Sequence, residues 1–287
     1  MKSSLLISFI FSFFFLGLSQ DNPAYVIYNK AGKKVSFSKM EKTILSKKYV
    51  FFGEQHNDPI AHWLQFQILE ALFEKHKSNL MAGSEMFERD NQAVINRYLN
   101  NQIDEKKFQD SCRIWTNFET DYKPMLDFAK LNNIPWIATN IPRKFASQVF
   151  KKGVLSLDSL SIEQKKWICP LPFPLDTTLS QYAALSDGEM HMGPNFVRAQ
   201  AIKDATMAFS IKENLNSKSV FYHLNGAYHS DFHQGILWYL QQYNGVKLDE
   251  MITISTVSQL DISALDDENK GKADFIICVP ENMTKTH

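Results

Sequence analysis

The chain carries no surplus of either charge: 31 basic residues stand against 31 acidic ones among 287. With no net field to draw a polyanion in, and no acidic tail, nucleic acid is excluded as a partner. Cysteine is scarce. Cys112, Cys169 and Cys278 are odd in number and match no zinc spacing, so they read as small buried hydrophobes. The usual catalytic signatures are missing too: no Gly-x-Ser-x-Gly, no His-Glu-x-x-His, no Gly-x-x-x-x-Gly-Lys and no dinucleotide glycine fingerprint. Ordinary lipases, zincins, nucleotide hydrolases and dehydrogenases are thereby disfavoured.

Long apolar runs are confined to the start. Met1-Lys2 precedes a Phe-rich run from Leu5 to Leu18, and Gly17-Leu18-Ser19 offers small residues to a peptidase. A run of about 14 residues falls short of the ~20 needed to span a bilayer, so residues 1–19 read as an export signal, the alternative being a retained anchor. No cysteine follows the run, which removes a lipobox anchor. The expectation is an exported, periplasmic or surface-associated protein whose residues 20–287 form a single domain. At 44% apolar, the chain as a whole is too hydrophobic for disorder.

Short β-branched and aromatic runs alternate with helix-period segments, the pattern of an α/β fold with a mostly parallel central sheet and helices on both faces. The strands are expected at Tyr25–Tyr28, Tyr49–Phe52, Leu80–Phe87, Pro135–Thr139, Ser219–Leu224, Met251–Val257 and Asp274–Val279. Lys30 to Lys33 reads as a hairpin turn, with Val35 and Phe37 on the returning strand. The pattern breaks at about 156–195, where one short helix (Ser161–Ile168) precedes a segment with three prolines in five residues, Pro170 to Pro174. Such an insertion suits a lid, a binding loop or a dimer contact.

Polar residues gather just past the strands. Tyr49–Phe52 runs into Gly53-Glu54-Gln55-His56, and Leu80–Ser84 into Glu85 and then Arg89. Pro135–Thr139 runs into Asn140 and Arg143, and Val220–Leu224 into Asn225-Gly226-Ala227-Tyr228-His229. In open parallel sheets the C-terminal strand ends line one crevice, so these groups are expected to share a site. Two Gly-x-x-His tetrads, Gly53 to His56 and Gly226 to His229, each permit a sharp turn or a close backbone approach. Glu54, His56, Glu85 and His229 could hold a transition metal, zinc or manganese, with His62 in support. They could equally orient water as general bases, or serve only as satisfied caps. His229 and His233 would chelate if a helix began there. His223 reads as a hydrogen-bonded core residue, His287 as solvated. Met190, His191 and Met192 could offer soft ligands to haem iron or form an apolar plug.

Five ordered motifs carry a resemblance: Gly53-Glu54-x-His56, Glu85-Met-Phe-x-Arg89-x-x-Gln92, Asn140-x-Pro142-Arg143, Ala199-Gln-x-x-x-Asp204-x-x-Met207-Ala208 and Gly226-x-x-His229. Together, over roughly Lys47 to Tyr243, they resemble the ChaN-type haem-binding uptake proteins. These belong to a superfamily with Tiki proteases and erythromycin esterases. The resemblance implies export from a bacterium, a role in iron uptake and haem as cofactor. It also implies a tyrosine on iron, for which Tyr182 is the candidate, and cofacial haems held between two subunits, hence a homodimer. An outer-membrane iron or haem transport component is the partner it suggests. In that setting Phe173, Met190, Met192 and Phe196 would wall the macrocycle, and Arg89, Arg143 or Arg198 would meet its propionates. The rival is a metal-dependent peptidase or esterase using Glu54, His56, Glu85 and His229. A module that only binds a partner is the third reading.

Overall fold

The computed structural model describes residues 23–187 and 193–287. The expected leader and the Met190, His191 and Met192 stretch lie outside those residues. Seven strands form one sheet: β1 (Val26–Asn29), β2 (Tyr49–Glu54), β3 (Leu80–Glu88), β4 (Trp136–Asn140), β5 (Val220–Gly226), β6 (Met251–Gln259) and β7 (Phe275–Pro280). Their spatial order is β1-β7-β6-β2-β5-β3-β4, parallel throughout except for β1 against β7.

The strands are apolar on both faces, which forces a cover on each side. Val50 and Phe52 of β2 point into one core and Tyr49 and Phe51 into the other. The first core is closed by α1 (Phe37–Ile44), α2 (Pro59–His76), α3 (Gln92–Leu99), α4 (Glu105–Ser111) and α5 (Lys123–Asn132). After a connection through α6 (Arg143–Lys152) and the short α7 (Ile162–Lys165), the second core is closed by α6, α8 (Ser180–Asp187), α9 (Pro194–Asn214) and α10 (Ile236–Asn244). The chain thus winds outward from β2 to β4 under one helical layer. It returns under the other, laying β5 between β2 and β3. That reversal opens a crevice at the C-terminal ends of β2, β5 and β3.

Two local expectations are corrected. The return strand of the hairpin is reduced to a single bridge, Tyr28 to Lys34, and β1 pairs with β7 instead. Ser36 accepts a hydrogen bond from the Lys39 amide and starts α1 at Phe37, so this stretch turns helical. In the insertion the expected helix shrinks to Ile162–Lys165, set by a capping box between Ser161 and Gln164. A second helix, α8, was not anticipated; Tyr182 anchors it in the core. No helix among the described residues is long and apolar enough to cross a membrane.

Candidate functional site

The crevice brings Glu54, His56, Glu85 and His229 together. β2 delivers Glu54 at its tip, and the chain then turns so that the His56 Nδ1–H donates to Glu54 Oε1 at 3.0 Å. β3 slips register against β4 between Ser84 and Glu88, and Glu85 sits in that irregular stretch. Its Oε2 accepts the Gly226 amide of β5 at 2.8 Å, while Oε1 lies 3.2 Å from His229 Nε2. The tetrad glycines serve close approach. A Cβ on Gly226 would fall 2.9 Å from Nε2 and Cε1 of His56, and one on Gly53 would fall 2.8 Å from the Ala227 Cα. The first Gly-x-x-His ring therefore lies directly on the glycine of the second.

Each imidazole has its own buried support. Glu54 also accepts from the Tyr122 hydroxyl and from Gln65 Nε2. Burial alone would raise its pKa, but the His56 bond foremost, with the charges of His62 and His56 and the Tyr122 bond, holds the carboxyl below its ordinary value. Burial likewise works to lower His56, and the Glu54 bond and Glu85 charge outweigh it, leaving His56 raised. His229 Nδ1 lies 2.5 Å from Asp204 Oδ1 on α9, and Asp204 Oδ2 accepts the Tyr182 hydroxyl at 2.7 Å. Burial opposes protonation of His229, yet Glu85 and Asp204 together push it up to about 10. The same pair holds a mixed message for the carboxyls. Burial raises Asp204 in spite of the imidazole, whereas Glu85, which also has the Gly226 amide, is driven well down. Glu85 is therefore the carboxylate whose charge is secure, and His229, between two carboxylates, is held toward its protonated form.

These contacts lend the metal reading no support. Both ring nitrogens of His229 face carboxylates, and no metal-holding group of three or more His, Cys, Asp or Glu occurs among the described residues. His62 is buried behind Glu54, with Nδ1 on Gln65 Oε1 at 2.9 Å and Nε2 on the His56 carbonyl at 3.2 Å. His233 turns away to Asp274 at 3.1 Å, so the chelating spacing with His229 is not realised. His223 is buried in β5 against Thr139 and Asn225, and burial takes it down to about 4.

In front of the strand tips lies a cleft of about 650 Å³. His56 and Glu85 form its floor. Ile114 and Trp115 supply apolar wall, with Met86 and Ile141 almost closed to solvent behind it; Arg113, Arg143 and Lys203 supply cations, and Glu88, Thr116 and Asn140 add polar lining. Trp115 meets the His56 ring edge-on, with centroids 4.8 Å apart. His287 lines the rim, because the Thr286 amide donates to the Asn57 carbonyl and its hydroxyl to Asp121 Oδ2.

Five of the haem candidates lie elsewhere: Phe173 packs beside Tyr239, Phe196 beside Phe150, Arg198 donates to Asn195, and Tyr182 and Arg89 are also placed away from the cleft lining. Tyr182 is fully buried on the far side of Asp204, so its hydroxyl supports a carboxylate and does not face the cleft. Arg89 is bound to Ser210, the Lys166 carbonyl and Glu213, away from the cleft lining. Arg143 does reach it. Sequence reasoning gave no role to Asp204, Tyr122, Gln65, Trp115, Arg113 or Lys203. Asp204 alone left a signal, its place in the ordered motif from Ala199 to Ala208, though no role followed from it; it lies on a helix face that proves buried.

The class defined by this fold and site is an α/β protein with a carboxylate- and imidazole-floored cleft at the strand-order reversal. The family follows from comparison. A model described as haem-binding uptake, Tiki superfamily, ChaN matches residues 40–240, and the chain belongs to that family. Among solved structures it is similar to ChaN of Campylobacter jejuni, reported with cofacial haem binding. The identity is 17% and the TM-score 0.66, over 90% of this chain and 98% of that one. An erythromycin esterase mutant in its open conformation matches at 9% identity and a TM-score of 0.51, over 90% of this chain and 98% of that one. A succinoglycan biosynthesis protein matches at 11% and 0.50, covering 84% and 90%. No curated protein matches in the search of their sequences.

Proposed function

We propose that the protein is an exported haem-binding component of iron uptake, and that the macrocycle enters the cleft at the C-terminal strand ends. The carrying observation is the lining of that cleft: apolar wall from Ile114 and Trp115 beside the cations Arg113, Arg143 and Lys203. A flat apolar ring with two carboxylates fits such a lining, the guanidiniums taking the propionates in charge-assisted, bidentate bonds. Family membership and the haem-binding Campylobacter relative support the ligand. Bound there, haem would supply a redox-active iron. This chain's residues would orient it, shield one face from water and neutralise its propionates. The apolar run at Leu5–Leu18 supports export, and cofacial binding in the relative supports a homodimer that delivers haem to an outer-membrane transport component. Titrating haemin into purified protein tests the proposal. A saturable Soret shift at micromolar haemin is expected, and a response no greater than albumin's at the same concentration would remove it.

A metal-free hydrolase is the second reading, favoured by the two opposed couples Glu54–His56 and Glu85–His229. There His56, tied through Nδ1, would take a proton from water at Nε2, and the His229 imidazolium would hold Glu85 charged beneath it. Ester or peptide hydrolysis that resists chelators and is lost in Glu54→Gln would support this reading over haem carriage.

A further inference from the structure

We infer that a second cavity, at the sheet edge where β6 runs past the start of β7, binds an organic anion: a carboxylate or phosphate carried on an apolar body. The inference is independent of the haem reading and uses none of the residues lining the strand-end cleft. β7 begins at Phe275, whose register partner on β6 is Ile254, and β1 ends at Asn29 opposite Phe275. Met251, Ile252 and Thr253 therefore have no strand beside them on that side, and the sheet is notched there. A cavity of about 610 Å³ occupies the notch, close in size to the cleft and within the range of small-molecule sites.

Three lysines surround it: Lys30 after β1, Lys39 on α1 and Lys47 just before β2. Lys30 and Lys39 form no ion pair or side-chain hydrogen bond among the described residues, and the Lys47 ammonium donates to the Asp249 carbonyl at 2.6 Å. Two acids share the lining. Asp274 is already committed: its Oδ2 accepts from the Thr253 amide at 3.0 Å, the Thr253 hydroxyl at 3.2 Å and His233 Nε2 at 3.1 Å. Burial would raise that carboxyl, but the His233 bond foremost, with the Thr253 amide, holds it below its ordinary value. Asp249 is left to set against three ammonium groups, so the balance is positive. Between the charges the surface is mainly apolar, with Val35 and Leu248 accessible and Met251, Ile252 and Phe275 almost closed to solvent behind them. An apolar acid satisfies both features, its anion taking charge-assisted bonds from the lysines while its body covers the wall.

The wall at His233 is held in a strained backbone. Phe232 and His233 both stand at φ 57°, two consecutive left-handed residues that carry a Cβ, a conformation L-residues disfavour. Strain of this kind persists only where its surroundings over-determine it, and it gathers at binding sites. Here it turns His233 onto Asp274 and into the cavity lining, with the side chain 24% exposed, whereas His229 four residues earlier is buried against Glu85.

The test is a calorimetric titration of the full chain with octanoate and, separately, with octyl phosphate. At least one should bind saturably at a single site, octanoate pointing to a carboxylate ligand and octyl phosphate to a phosphate one. Octanol and octylammonium should bind at least about tenfold more weakly. Lys30→Glu with Lys39→Glu should weaken binding of the anion at least about tenfold, and raised salt should weaken it in wild type. Lys33→Glu with Lys34→Glu, on exposed neighbours outside the lining, should leave it unchanged. His233→Gly relieves the left-handed strain, so its melting temperature should hold while affinity for the anion falls. Arg113→Glu with Arg143→Glu, in the other cleft, should bind the anion as wild type does. No saturable binding of either acid, or equal binding of octanol, would overturn the site. So would an unchanged affinity in the Lys30, Lys39 or His233 variants, or a loss confined to the Arg113, Arg143 variant.

Discussion

The two Gly-x-x-His tips share a sequence pattern and end in opposite states. His56 stands half-exposed with Nδ1 on Glu54 and no hydrogen-bond partner for Nε2 among the described residues. His229 is buried with both nitrogens on carboxylates. Short motifs thus specify where an imidazole is delivered, whereas the groups behind it decide what it can do. Behind His56 stand one carboxylate and two neutral donors, Tyr122 and Gln65; around His229 stand two carboxylates, one of them braced by Tyr182. The first arrangement leaves one ring nitrogen without a partner; the second encloses the imidazole between two carboxylates.

Breaking the second tip should have the largest effect. Asp204→Ala leaves a buried imidazolium short of a partner and orphans the Tyr182 hydroxyl, and should cost about 3–5 kcal/mol in urea unfolding. A loss under 1 kcal/mol would show that His229 is not held as a cation. The same cation gives a pH signature. A group raised in the folded state contributes stability that is whole below its ordinary value, 6.5, and disappears as pH rises through its folded value, about 10. The stability difference between wild type and His229→Asn should therefore narrow as pH climbs across that window; a constant difference contradicts the ion pair. At the first tip the effect on folding should be smallest. His56→Ala removes a half-exposed ring and leaves Glu54 its bonds to Tyr122 and Gln65, so thermal melts should register about 1 kcal/mol or less.

Much of this was legible beforehand, for identifiable reasons. The seven strands are runs of β-branched and aromatic residues bounded by turn formers, and both faces of each central strand are buried. The periodic signal was therefore strong, and the strand-end rule carried Glu54, His56, Glu85 and His229 to one cleft. What escaped reading depends on contacts distant in sequence. Asp204 sits mid-helix and meets His229 from 25 residues away, and Tyr122 reaches Glu54 across 68. Tyr182 was placed in the cleft because its segment looked irregular, whereas a helix and its apolar neighbours take it inside. Arg89 follows directly on β3 and was grouped with the strand-end residues, yet it is drawn off by Ser210 and Glu213 of α9.

The account turns on the cleft itself as the haem seat, and its cations offer the most direct probe. Haemin should be titrated into wild type and into the double variant Arg113→Glu, Arg143→Glu, with the Soret band read at low and high salt. Saturable wild-type binding, weakened at least about tenfold by the reversal of charge and more so at low salt, is the predicted result. Equal affinity in the two proteins would place the macrocycle somewhere else on the molecule.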